Sequence, residues 1–362
     1  MPLPYRRLFV GAFIGVSLLL FISIMRLGYE WRQALVDIDA MIVTPAVLDL
    51  PTEHPDLVFQ GPPIRDASVP LPTAQPQSLN TPSVDITPPP LSQPILNILL
   101  LGTDARLGDV EPTRTDALVL VRIDRDRGQV SMLSIPRDLW VNYPTGGAGR
   151  VNAAYPLGET RFGPGGGAAL AKSTIGRLLG IEVDYFMLIN FQGFETLIDE
   201  LGGIRVDVPS EIYDPAYPTE DYGTIEVRFA PGSQMLDAER ALIYVRTRHA
   251  DSDFGRNQRQ QQVLMAIFDR IRERGLLTQL TSLDNYTRSM RGYVQTDLSR
   301  NHMLELAGFA RNFNGENILR YAIDSRSIVD LPEPATFGVE SQALNRIMRQ
   351  FTGETISASA GN

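Results

Sequence analysis

The chain has 362 residues, 43% of them hydrophobic, enough to bury a sizeable core in one large or two ordinary domains. A formal net charge of -9 argues against a general nucleic-acid binder, because phosphate backbones are held by clustered Lys and Arg on a basic domain, so any anion site must be local. The absence of cysteine excludes disulfides, thiolate nucleophiles and Cys-based metal sites.

The first element is the uncharged run Leu8 to Met25, whose only polar side chains are Ser17 and Ser23, preceded by Arg6 and Arg7. At about 1.5 Å per residue it approaches the thickness of a bilayer's hydrocarbon core. A cleaved signal peptide would have a shorter apolar region and a small-residue cleavage site, so an uncleaved anchor is expected. Arg6 and Arg7 place the residue 1–7 stub in the cytoplasm, although Arg26 weakens the asymmetry. The expected location is the cell membrane, single-pass, with everything after the anchor outside the cytoplasm.

Residues 26–94 read as a juxtamembrane segment and Pro-rich linker. Half of the 26 prolines fall between Pro45 and Pro94, and such sequence is semi-extended and stiff, a spacer without chemistry.

At Ile95 the texture changes. ILNILLLG is a continuous apolar run ending in Gly102, as a strand buried on both faces reads. Asp116 to Asp124 and Gln129 to Ile135 form a predicted hairpin. Gly166 to Gly180 predicts a helix, VDYFMLIN a strand, FQGFETLIDELGG a helix and Ile204 to Val208 the next strand. DAERALIYVRTR and NQRQQQVLMAIFDRIRERGLL are helical patterns. A last section offers helix (NHMLELAGFARNF), strand (ILRYAI) and helix (SQALNRIMRQF). The expected fold is a three-layer α/β/α domain with a mixed central sheet, preceded by one transmembrane helix and the Pro-rich linker. Its core is expected over residues 95–275, completed by 276–352, with a tail at 353–362.

The candidate chemistry is built from Asp and Arg at strand ends. Asp104 and Arg106 follow the first strand, Arg114 and Asp116 precede the second, and Arg137 and Asp138 follow the third. Ligands of open α/β sheets gather beyond strand ends. A fourth concentration, YVRTRHADSDFGRNQRQQQ, gathers Arg246, Arg248, Arg256 and Arg259 with Asp251 and Asp253. Arg246 and Arg248 lie about 200° apart on a helix, so both can face one ligand only if the helix ends there. Surface ion pairs are the bland alternative for the segment around Arg246. Against it stands the choice of Arg over Lys, since guanidinium groups hold phosphate oxygens in bidentate fashion. Asp104 and Asp116 either ligate Mg²⁺ jointly or each cap a turn.

Other signatures are poor. GGAALAKS has Ala171 where a Walker A motif needs Gly and does not follow a strand. Three histidines, His54, His249 and His302, leave little for a Ser-His-Asp triad or a His-based metal site. Val263, Ile267 and Ile271 form a helical apolar stripe that suits ordinary core more than a lipid channel.

Together NILLLGTDAR, TRTDALVLVRID, VSMLSIPRDLWV, RVNAAY, FETLIDELGGIRVDVP and LDAERALIYVRTRHADSDFGRNQRQQQVL resemble, in order and spacing, the LytR-CpsA-Psr family of cell-envelope glycopolymer phosphotransferases. The resemblance implies an α/β/α domain that binds polyprenyl-pyrophosphate glycolipids with the tail in an apolar channel, and transfers the glycan to peptidoglycan. It implies Mg²⁺, with Mn²⁺ as an alternative, held by Asp104 and Asp116. It places Arg114, Arg137, Arg246, Arg248, Arg256 and Arg259 around the pyrophosphate, with Asn152 and Gln260 as further polar contacts. Asp104, Asp116, Arg114, Arg137, Arg246 and Arg256 are then the expected catalytic set. Thr115 and Arg150 are mild departures, standing where the family often has Ser and Lys. Two alternatives compete: a polyprenyl-pyrophosphate binding protein or pyrophosphatase, and a transcriptional attenuator without catalysis. The acidic balance and the lack of a helix-turn-helix signal disfavour direct DNA contact.

Overall fold

A computed structural model describes residues 36–48, 93–105, 112–219, 223–247, 253–274, 288–313, 315–331 and 336–353. The first strand, β1 (Ile95–Thr103), pairs antiparallel with β2 (Thr115–Asp124), which returns through a charged turn as β3 (Gln129–Ser134). After the small hairpin β4 (Trp140–Asn142) and β5 (Ala148–Arg150) come helices α1 (Ala154–Phe162) and α2 (Gly166–Leu179). Gly180 ends α2 in the left-handed region at φ 67°, which explains why the helical pattern stops on a glycine.

The crossover then delivers β6 (Tyr185–Asn190) parallel to β1, followed at once by α3 (Phe191–Glu200), whose N-terminus is capped by Asn190. Further along the chain, β11 (Val294–Thr296) and β12 (Ile318–Ala322) form the two edges of a mixed six-stranded sheet ordered β11-β6-β1-β2-β3-β12. Residues from the C-terminal section therefore close both sides of the sheet.

Ile204–Val208 departs from expectation. This strand, β7, does not join the central sheet but pairs with β10 (Gly232–Leu236). Its side chains alternate buried and exposed, with Arg205 and Asp207 outward, the mark of a one-sided antiparallel strand rather than one covered on both faces. Beside it, β8 (Ile212–Pro218) and β9 (Thr224–Phe229) make a hairpin that sequence patterning did not reveal. Helix α4 (Ala238–Arg246) and the long α5 (Asp253–Glu273) follow, then α6 (Arg300–Asn312) and α7 (Ser341–Thr352).

Both faces of the sheet are covered. Leu99, Leu101, Leu120 and Leu133 meet α2 and α7 through Leu170, Ile175 and Phe351. From the opposite face Leu96, Ile98 and Ile123 meet Met303, Leu306 and Phe309 of α6. A further cluster, including Ile204, Phe229, Tyr244, Val263 and Ile267, joins α4 and α5 to the small strands. His302 belongs to the packing: it is buried, Nε2 within 3.1 Å of the Tyr185 hydroxyl and Nδ1 within 2.8 Å of Ser299 Oγ. Lys172, from the Walker-like sequence, bonds Asp297 at 2.6 Å and the carbonyl of Asp184 at 2.7 Å, a structural tether rather than a phosphate ligand.

The expected membrane span, Leu8–Met25, lies outside the described residues, as does the Pro-rich stretch 49–92. Among the described residues no helix is long and apolar enough to cross a membrane. Residues 36–48, read from sequence as linker, lie against the domain instead: Val43 N–H donates to Thr296 O at 2.7 Å, Ala46 N–H to Gly165 O at 3.1 Å, and Asp39 pairs with Arg300.

Candidate functional site

The strand ends converge because β1 and β2 are antiparallel neighbours. Their register runs regularly from Ile95↔Asp124 to Gly102↔Ala117 and then slips, pairing Thr103 with Thr115. Asp116 is the extra residue of this bulge, and a bulge re-aims a side chain at a sheet end. The close approach requires glycine: a Cβ on Gly102 would stand 3.0 Å from the Cβ of Ala117. Thr103 Oγ1 fixes the two chain ends by donating to the Arg114 carbonyl at 3.2 Å. Asp104 and Arg114, just beyond the paired residues, are both exposed.

Arg137, after β3, brings the third strand end into the site. Its Nη1 donates to Asp116 Oδ1 at 2.6 Å and its Nε to Asp138 Oδ2 at 3.3 Å. Asp138 also pairs with Arg150 at 3.4 Å, so its carboxylate sits between two guanidinium groups. Asn152 is buried; its N–H donates to the Arg137 carbonyl at 3.2 Å and its carbonyl accepts from Thr115. It supports the backbone of two site residues and does not itself line the cavity described next.

That cavity, about 210 Å³, opens between the sheet and helices α3, α4 and α5. Asp116, Arg137, Arg246, Arg256 and Gln260 line it, so the structure brings together five of the sequence-predicted residues from four separate elements. The rest of the wall is largely apolar, with Leu100, Val119, Ile189, Phe194, Val245 and Leu264 among its residues. Val263 serves both purposes: it is buried in the core cluster and also faces the cavity, whereas Ile267 and Ile271 belong to the core alone.

Helix α4 ends at Arg246, the condition under which its arginines can address one ligand. Arg246 lies in an aromatic slot, its Cζ 4.4 Å from the Phe191 ring centre and 5.6 Å from that of Tyr217. Burial pushes the Tyr217 hydroxyl up from its ordinary value, against the opposing pull of Arg246. Arg248 lies outside the described residues, with Arg106 and Asp251.

Arg256 and Arg259 share α5, which begins at Asp253 and carries Gly255 in its first turn. Only Arg256 of the two lines the cavity. Arg259, expected at the pyrophosphate, is buried and donates instead to the carbonyls of Tyr244 and Thr247, satisfying the C-terminal end of α4.

Residues that sequence reasoning missed complete the wall. Asn190 and Phe191 arrive through the β6–α3 junction and Asp214 and Pro218 on β8, while Tyr217 of the same strand stands behind the wall against Arg246. Among them only YDPAYP carries a local signal, an Asp-Pro pair of the kind common in turns.

Two carboxylates on adjacent strand ends are hard oxygen donors of the type Mg²⁺ takes beside substrate phosphates, so Asp104 and Asp116 fit such an ion chemically. Among the described residues no group of three or more His, Asp and Glu side chains gathers as a metal cage.

Residues 73–350 match the LytR_cpsA_psr family. The chain is 36% identical over 216 residues to the polyisoprenyl-teichoic acid–peptidoglycan teichoic acid transferase TagT of Bacillus subtilis, covering 59% of this chain and 63% of that protein, just under two thirds of its length. It is 32% identical over 262 residues to TagU of Oceanobacillus iheyensis, which carries the same transferase description, covering 71% of this chain and 75% of the relative. The structure of TagT bound to LI-WTA is similar with a TM-score of 0.56 and 30% identity, covering 72% of this chain and 90% of the other.

Proposed function

The chain belongs to the LytR-CpsA-Psr family, and from that premise we propose that it is a membrane-anchored phosphotransferase moving a glycopolymer from a polyprenyl-pyrophosphate carrier onto peptidoglycan. The observation that carries this reading is the division of one cavity: Asp116, Arg137, Arg246 and Arg256 stand in the same wall as an apolar lining suited to a hydrocarbon chain. The relatives named as teichoic acid transferases to peptidoglycan, and the likeness to TagT bound to LI-WTA, support the same assignment.

In this reading an acceptor sugar hydroxyl attacks the polymer-side phosphorus and gives up its proton to a site carboxylate or to water, the phosphorus–oxygen bond to the carrier breaks, and polyprenyl phosphate leaves. Negative charge accumulates on phosphoryl oxygens, and arginines fixed before the reaction stabilise it without reorganising. Arg137 is oriented by Asp116 and Asp138, and Arg246 by its aromatic slot. Asp116 and Asp138 are both engaged by Arg137, and Asp138 by Arg150 as well, so in this reading both carboxylates orient guanidinium groups. Asp104 and Asp116 would hold Mg²⁺, which when bound supplies further charge neutralisation at the pyrophosphate.

The test is transfer of a glycan from a polyprenyl-pyrophosphate donor to peptidoglycan by the full chain in Mg²⁺, beside Asp116→Ala and Arg137→Ala. Metal-dependent turnover in the wild type that both substitutions abolish supports the proposal. Binding without turnover, unchanged in both variants, overturns the catalytic assignment and favours a carrier-binding or regulatory protein.

A further inference from the structure

Arg246 is the last residue of α4, and the final turn of a helix frays unless its groups are held. The chain turns out of the helix at Thr247, with φ -56° and ψ 140°. Both Thr247 and Asp214 have an exposure of 0%, although one is a hydroxyl and the other a carboxyl, and buried polar groups are retained only where their bonds are made. Thr247 is bonded at three atoms: its N–H donates to Ile243 O at 2.9 Å, its carbonyl accepts from Arg259 Nη2, and its Oγ1 donates to Asp214 Oδ2. The other oxygen of Asp214 accepts from the Ala216 N–H at 3.1 Å.

The Thr247–Asp214 bond joins α4 to β8, the two elements that meet at Arg246. Asp214 lies three residues before Tyr217, whose ring forms one side of the slot around the Arg246 guanidinium. We propose that Asp214 and Thr247 are positioning residues that lock the end of α4 to β8, hold the Arg246 guanidinium in place in the cavity and thereby set affinity for a pyrophosphate group. Asp214 lines the cavity, but each of its oxygens already accepts a bond from the protein, which suits a positioning role rather than that of a proton acceptor. A guanidinium fixed in advance gives up less side-chain freedom on meeting an anion, so the pin appears as ligand affinity. This inference rests on the proposed pyrophosphate reading of the cavity.

The experiment is a calorimetric titration of the full chain with inorganic pyrophosphate in Mg²⁺, with melting temperature followed in parallel. Thr247→Val removes the hydroxyl at nearly constant shape and is expected to weaken binding about tenfold, the scale of a lost hydrogen bond to a charged group. Thr247→Ser restores the hydroxyl and should restore affinity. Thr174→Val is the control: this buried threonine donates to the Leu170 carbonyl at 2.6 Å within α2, away from the cavity wall, so its loss should lower the melting temperature without weakening binding. Should Thr247→Val not fold, Asp214→Asn, which retains one acceptor oxygen, carries the same test. Wild-type affinity in Thr247→Val or Asp214→Asn, or equal weakening in Thr174→Val, overturns the positioning role. No binding by the wild-type chain overturns the pyrophosphate reading and this inference together.

Discussion

The two walls of the cavity are built on different principles. On the sheet side Asp116 lines the cavity half-buried, where antiparallel pairing and one bulge put it, while Asp104 and Arg114 stand exposed just outside its lining. On the helical side Arg256 and Arg259 are both nearly inaccessible, yet only Arg256 faces the cavity while Arg259 is spent on α4's carbonyls. Charge on a strand end is thus available for chemistry, whereas charge on a helix packed against other helices is divided between ligand and scaffold.

The largest separation between the walls should come from Arg137→Ala. Removing a preorganised donor at developing charge is expected to cost about 10²–10³-fold in turnover, measured in the transfer assay, with little change in melting temperature because Arg137 and Asp116 keep access to water. Arg259→Ala should behave oppositely. Leaving the carbonyls of Tyr244 and Thr247 buried without this donor should destabilise the fold by about 2–3 kcal/mol in urea denaturation. Pyrophosphate affinity per folded molecule should survive better than in the Arg246 variant. Arg246→Lys keeps the charge but loses the planar group stacked on Phe191 and Tyr217, so affinity for pyrophosphate should fall about tenfold by titration while the melting temperature holds.

How much of this was legible in the sequence divides along the same line. The run ILNILLLG, the hairpin over β2 and β3 and the glycine-ended helix α2 could be read because burial on both faces, a charged turn and a left-handed cap each leave a local mark. Asp116 and Arg137 could be placed for the same reason, since a strand end is a position in the sequence as well as in space. Arg259 could not, because its partners lie twelve and fifteen residues earlier on another helix. Asp214 and Phe191 enter the cavity only through the packing of β8 and α3, which no local pattern encodes.

Two smaller effects sharpen the contrast. Gly102→Ala sets a methyl group 3.0 Å from the Ala117 Cβ at the bulge, and should destabilise by about 1 kcal/mol in denaturant melts, the low end for overpacking. Away from the cavity, burial holds the Asp297 carboxyl above the ordinary carboxylate range against the pull of Lys172. The folded chain then binds that proton more tightly than the unfolded chain. Its stabilising contribution is therefore full below the ordinary value of 3.8 and is lost as pH rises through the raised one. Asp297→Asn should remove this falling limb, seen as a difference in melting temperature from wild type that changes with pH across that interval.

The proposed function requires one cavity to hold both the pyrophosphate and the start of its hydrocarbon tail. Its most direct test is competition in Mg²⁺ between farnesyl pyrophosphate and inorganic pyrophosphate on the full chain, followed by titration calorimetry. Mutual displacement, with the farnesyl compound binding more tightly and Arg246→Ala weakening both, is the predicted result. Independent binding of the two ligands, or equal affinity for both, would contradict a shared site with an apolar continuation.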